Sequence, residues 1–206
     1  MSNTLILASQ SPRRKELLQQ LGYVFTCSPA DIDESVQLAE KPAQYVARLA
    51  LEKAQAIGKN NPEEVVVLGS DTTVVFGQHI LGKPESLSDC LAILNMLSGN
   101  SHQVITAIAA VQGERSEVVI VSTEVDFKML SEEEITRYWQ TGEPQDKAGA
   151  YGIQGIGGQF VKQIRGSYSA VVGLPLYETA QLLSAFGVIP KPLETAFSSG
   201  LGISHQ

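Results

Sequence analysis

Leu5-Ile6-Leu7-Ala8-Ser9-Gln10-Ser11-Pro12-Arg13-Arg14-Lys15 is the stretch that decides the fold class of this chain. Its first four residues form a short, continuous apolar run, the pattern of a strand covered on both faces. The run stops at Ser9. Ser11 then offers an N-cap hydroxyl, and Pro12 stands at the first helical position, where a missing N–H leaves no hydrogen bond unmade. The helix that follows carries Leu17, Leu18 and Leu21 on one side and closes at Gly22. A buried strand feeding directly into a helix is the unit of an α/β fold.

The pattern continues along the chain. A second helix spans about Pro42 to Ile57, and Val65-Val66-Val67-Leu68 reads as another central strand, ending at Gly69-Ser70-Asp71. Thr72 to Ile80 reads as a hairpin turning at Gly77-Gln78, and a helix over Leu87–Leu97 is closed by Ser98-Gly99. Gln103–Val111 and Glu117–Phe127 are rich in Val, Ile and Thr and are separated by Gly113, the mark of a long antiparallel pair. Ser131 and Glu134 form a capping box, residues 142–158 make a glycine-dense loop, and a last helix covers about Pro175 to Phe186. Pro190, Pro192 and a Ser/Gly cluster predict a flexible tail over 190–206, leaving residues 1–189 as a single domain. Crossover helices mixed with long hairpins predict α/β architecture with a mixed sheet.

Composition narrows the function. The 206 residues are 43% hydrophobic and 18% charged, an ordinary globular balance, with a formal net charge of −7. That acidity argues against binding a nucleic-acid polymer, which runs on phosphate neutralisation by basic surface. No apolar run is long enough for a membrane span, and the N-terminus lacks the basic segment of a signal peptide, so a cytoplasmic protein with no membrane partner is expected. Cys27 and Cys90 form no CxxC, and His79, His102 and His205 show no ligand spacing, which excludes a Cys/His zinc site.

Local rules are broken at three places, and such breaks mark function. Arg13-Arg14-Lys15 puts cations in the first turn of a helix, where the macrodipole favours anions. A solvated basic turn is the plain alternative; an anion held on backbone N–H groups, with the cations closing round it, suits a position beyond the carboxyl end of a strand. Lys53 is the second. At 100° per residue from Val46 it falls at about 340°, inside the apolar stripe of Leu49, Ala50 and Ile57. Either its stem snorkels, or its head enters a polar cleft to meet a phosphate or a carboxylate. The third is Asp71, placed at a strand end as a turn former or as a carboxylate that holds a divalent metal or orients a water.

Motifs that fail are also informative. Gly77 to Lys83 matches most of a P-loop, but Pro84 stands where the hydroxyl should be, and the segment lies in a hairpin. Lys83, held between Gly82 and Pro84, remains a candidate phosphate ligand. Gly152 to Gly158 is not GxGxxG, and no GxSxG occurs, so neither a dinucleotide fold nor a Ser-His-Asp hydrolase is supported.

Leu-Ala-Ser9-Gln-Ser-Pro-Arg13-Arg14, Asp33-Glu34, Leu-Glu52-Lys53-Ala, Gly-Ser-Asp71-Thr72, Gly-Lys83-Pro, Asp-Lys147-Ala-Gly-Ala-Tyr-Gly-Ile-Gln154-Gly and the run from Gly166 to Pro175 occur in the order and spacing of Maf proteins. The resemblance covers about residues 4 to 188. It implies an elongated α/β fold, similar to inosine-triphosphate pyrophosphatases, with a cleft across a mixed sheet. It also implies hydrolysis of nucleoside triphosphates to monophosphate and pyrophosphate with a divalent cation, Mg²⁺ or Mn²⁺, and suggests a homodimer. On this resemblance Ser9, Arg13, Arg14, Lys53, Lys83 and Lys147 would bind substrate, Glu34 and Asp71 the metal, and Asp71 would accept the proton. Arg13, Thr72 and Gln154 resemble the combination of the branch acting on dTTP and UTP; the 7-methyl-GTP branch carries Trp and Gln at the first two of these positions. A Gln amide offers both a donor and an acceptor, matching N3–H and O4 of uracil or thymine. A nucleotide-binding regulator of septum formation, using the same cleft with little turnover, is the rival expectation.

Overall fold

The computed structural model describes residues 3–191. In chain order the elements are β1 (Leu5–Leu7), α1 (Pro12–Gln20), β2 (Phe25–Cys27), α2 (Pro42–Gly58), β3 (Val66–Phe76), β4 (His79–Leu81), α3 (Leu87–Leu97), β5 (Ser101–Gln112), β6 (Arg115–Phe127), α4 (Glu132–Gln140), β7 (Val161–Arg165), α5 (Tyr168–Val172) and α6 (Leu176–Ala185). Ser11 caps α1 by accepting the Arg14 N–H, and the Ser131/Glu134 capping box starts α4. The strands form one open sheet in the order β2-β1-β3-β5-β6-β7, with β4 beside β3. β1 runs parallel to β2 and β3, and the other pairs are antiparallel, so the sheet is mixed as expected.

β3 departs from the sequence expectation. Gly69-Ser70-Asp71 is not a strand end: the strand runs on to Phe76, and Asp71 lies in mid-strand opposite Ala107 of β5. The long ladder with β5 overrides the local turn preference of Gly, Ser and Asp. Two strands escape the sequence reading, β2 and β7. Both are short and flank the sheet, and most of their residues are incompletely buried, so they carry no strong apolar period. The Gly142–Gly158 loop contains short 3-10 turns at Glu143–Asp146 and Ala148–Ala150, and a third turn begins at Ile156. The Lys191 N–H donates to the Gly22 carbonyl at 3.0 Å; the expected tail from 192 onward lies outside the described residues.

The register creates a gap. β1 pairs with Val66–Leu68 and β4 with Val74–Phe76, while β5 occupies the opposite edge of β3 from Val67 to Val75. Residues 69–73 therefore have a strand on one side only. Apolar packing surrounds this opening: Leu7, Leu18, Leu68, Ile108 and Phe186 fill one face, and Val46, Ala50, Val67 and Ala109 the other. A further cluster under α3 and α4 includes Leu94, Val104, Phe127, Tyr138 and Phe160. β3 contributes to all three clusters, through Leu68, Val67 and Val74.

Candidate active site

Strand alternation turns Val67, Gly69 and Asp71 towards α2. The helix comes so close that a Cβ on Gly69 would lie 2.1 Å from the Ala50 carbonyl oxygen. Val46, Leu49, Ala50 and Ala54 of α2 are fully buried, and Lys53 shares their stripe at 8% exposure. Its ammonium donates to Asp71 Oδ1 at 2.7 Å and lies 2.6 Å from Glu34 Oε1. Of the partners its sequence position left open, the carboxylates are the ones observed. Burial pushes the Asp71 carboxyl above its ordinary range; Lys53 and Arg14 pull the other way without reversing it, and Glu34 adds to the rise. The segment bearing Glu34 is pinned to α2. The Tyr45 hydroxyl donates to the Glu34 carbonyl at 2.9 Å, and Arg48 donates to the Ser35 carbonyl at 3.0 Å while pairing with Glu40 at 2.6 Å.

On the other face of β3, Thr72 joins a relay. Arg14 Nη2 donates to Thr72 Oγ1 at 3.3 Å, Thr72 and Thr106 hydroxyls lie 2.9 Å apart, and Thr106 donates to the Ala170 carbonyl at 2.7 Å. Because the Thr106 proton is used on Ala170, Thr72 donates to Thr106. The Gly173 carbonyl accepts from Arg14 Nε at 2.9 Å and from Ser70 Oγ at 3.0 Å. Two of the five guanidinium donors of Arg14 are thus used on Gly173 and Thr72, which fixes the group in the cleft wall. Burial disfavours its charge, and Asp71 favours it.

The ten residues named as substrate or metal ligands all line one cleft, about 1210 Å³ in volume and bordered by Asp71, Thr72 and Thr73 at the gap in β3, whereas Lys15 of the basic turn is not in its lining. Buried Ser9 accepts the Ser11 N–H at 3.1 Å, which shapes the turn into α1, and Arg13 is half-buried in the wall. Lys83 stands exposed after β4, Lys147 pairs with Asp146, and Gln154 is exposed at the rim. The volume suits a ligand of nucleotide size. Thr106, Tyr45, Tyr138 and Glu143 take part in holding the site and were not legible in the sequence. Thr106 reads as an ordinary strand residue, and Glu143 as surface acid in a glycine-rich loop.

An open mixed sheet with a gap at one strand, two carboxylates joined through a lysine and cations along the rim define an α/β protein with a cleft for a polyphosphate. The chain belongs to the Maf family: the family model described as Maf-like protein matches residues 4–186. It is 59% identical over 192 residues to a protein of Colwellia psychrerythraea, covering 91% of each chain. A Vibrio parahaemolyticus protein is 56% identical over 90% of this chain and 98% of its own, and one from Hahella chejuensis is 53% identical over 89% and 92%. Each of these relatives is named dTTP/UTP pyrophosphatase.

Proposed function

We propose that this chain is a nucleoside triphosphate pyrophosphatase that converts dTTP and UTP to the monophosphate and pyrophosphate. The observation that carries the reading is Asp71, a buried carboxylate of raised basicity at the open edge of β3, surrounded by cations and held by Lys53. The relatives' shared name supports the reaction and the substrates. Asp71 takes the proton from a water that attacks the α-phosphorus, and the pyrophosphate leaves with the bridging electrons. Lys53 keeps Asp71 oriented. Arg13, Lys83 and Lys147 offset the triphosphate charge and the charge that builds on the leaving group. Gln154 and the glycine-rich turn around it meet the base.

A divalent cation belongs to this proposal. Among the described residues no group of three or more acidic, His or Cys side chains is poised to hold a metal. Glu34 and Asp71 do, however, both reach the Lys53 ammonium, and a pair of neighbouring carboxylates matches the habit of Mg²⁺, which takes one or two carboxylates and completes its shell with phosphate oxygens and water. Glu34 and Asp71 would hold the ion, which supplies charge neutralisation at the phosphates. The homodimer implied by the family resemblance and the cytoplasmic location expected from the sequence composition are proposals of the same standing; sedimentation tests the first. Among the described residues no helix is long and apolar enough to cross a membrane.

Product analysis with dTTP, UTP, CTP, GTP and ATP, with and without Mg²⁺ or Mn²⁺, tests the reading. Monophosphate and pyrophosphate should form fastest from dTTP and UTP, and chelation should abolish turnover. The Asp71→Asn variant should lose about two to four orders of magnitude in kcat while still binding nucleotide. Saturable binding without turnover by the wild type would instead favour the regulator.

A further inference from the structure

Glu143 takes no part in the chemistry above, yet the turn that carries Gln154 is built round it. Tyr138, at the buried face of α4, donates its hydroxyl to Glu143 Oε1 at 2.8 Å and accepts the Gly152 N–H at 3.0 Å. Glu143 Oε1 also accepts the Gly157 N–H at 2.9 Å, and Oε2 accepts the Ile156 N–H at 2.8 Å. The backbone on both sides of Gln154 is therefore tied to one carboxylate–phenol pair. The fit leaves no room: a Cβ on Gly155 would lie 2.3 Å from Glu143 Oε2, and one on Gly157 would lie 2.6 Å from the Tyr138 hydroxyl. Partial burial raises the Glu143 carboxyl, but the donors from Gly157, Tyr138 and Ile156 outweigh it and hold the group below its ordinary range, so it is an acceptor-only anion.

A glycine-rich turn left to itself loses much conformational entropy when a ligand orders it. Amide recognition of a base also requires the Gln donor and acceptor to arrive in one orientation. We infer that Glu143 and Tyr138 are positioning residues for nucleobase selection: together they pre-order the Gly152–Gly157 turn so that Gln154 presents its amide to the pyrimidine edge. The inference rests on the reading that the cleft takes dTTP and UTP. Glu143 also lies near Lys147, whose charge helps to keep its carboxyl ionised.

Steady-state kinetics on UTP, with GTP as competitor, test the inference in Glu143→Gln, Tyr138→Phe and Gly155→Ala. A Gln at 143 can face only part of the donor set with its oxygen, since its NH₂ must oppose an N–H or the phenol proton. Each variant should raise the KM for UTP by about ten-fold, with the larger share of the change in KM rather than kcat, and should narrow the preference for UTP over GTP. The double variant Gly155→Ala/Glu143→Ala should be no worse than Glu143→Ala alone, because the clash at Gly155 is with that carboxylate. An unchanged KM and UTP/GTP preference in both Glu143→Gln and Gly155→Ala would overturn the inference. So would a fall in kcat at constant KM, which signals general damage to the fold. Wild-type protein that does not hydrolyse UTP would overturn the parent reading as well, and that outcome is visible before any variant is made.

Discussion

Lys53 places its ammonium between Asp71 and Glu34, and the chemistry of Asp71 follows from how little that contact compensates. Burial favours the neutral carboxyl, Lys53 and Arg14 favour the anion, and the balance leaves the group more basic than an exposed aspartate. A proton acceptor works only when deprotonated, so activity should fall as pH drops through the Asp71 pKa. Since burial raises that pKa in the metal-free protein, the Asp71 carboxyl should titrate there with a midpoint above the ordinary 3.8. Replacing Lys53 by Met removes the strongest opposing charge and should move the midpoint to still higher pH. Carbon NMR of the Asp71 carboxyl in metal-free wild type and variant checks both. A wild-type midpoint at or below 3.8 would sink the account of Asp71 as a carboxyl made more basic by burial. The oddity of Lys53 was legible in the helical period of α2. Its partners were not, because Asp71 and Glu34 come from a strand and a loop that helical periodicity does not relate to α2.

At the scale of elements, α2 and β3 make the contact that sets this geometry. The helix can cross the strand at Gly69 only because no side chain is there, the Ala50 carbonyl oxygen standing where a Cβ would go. Gly69→Ala should therefore push α2 off the sheet. About 1–3 kcal/mol of stability should be lost in urea unfolding, with activity falling further as Lys53 moves from Asp71. Retained stability and activity would mean that the helix yields without consequence. Caps and stripes made α1, α2 and α4 legible in advance, since their signals are local. The length of β3 was not, because Gly-Ser-Asp-Thr reads as a turn until β5 is paired beside it. β2 and β7 lack a signal for the related reason that flanking strands bury too little to need one.

Across the whole molecule, the site exists because β1 ends early and β4 begins late on the same edge of β3. Segments far apart in the chain border the opening, Ser9–Arg14 and Gly152–Gly155. A ligand that spans them should stabilise both together. A non-hydrolysable UTP analogue at about 100 times its Kd should add about 2.7 kcal/mol of stability. For a chain of this size that is a rise in Tm on the order of 5–10 °C. Hydrogen exchange should slow in both segments at once; protection confined to residues 9–14 would mean that the base does not reach the Gln154 turn.

The chain by itself determined the α/β class, the helices, the long β5–β6 pair and the set of polar residues out of place in their local patterns. These are legible because caps, periods and buried runs are written in neighbouring residues. Tertiary structure alone decided that Asp71 sits inside a strand, that Arg14 is anchored by Gly173 and Thr72, and that Glu143 holds the Gln154 turn. Each of these depends on partners distant in sequence or on a backbone register. Pairing of that kind has no local period, and it arises only when the sheet closes around the gap in β3.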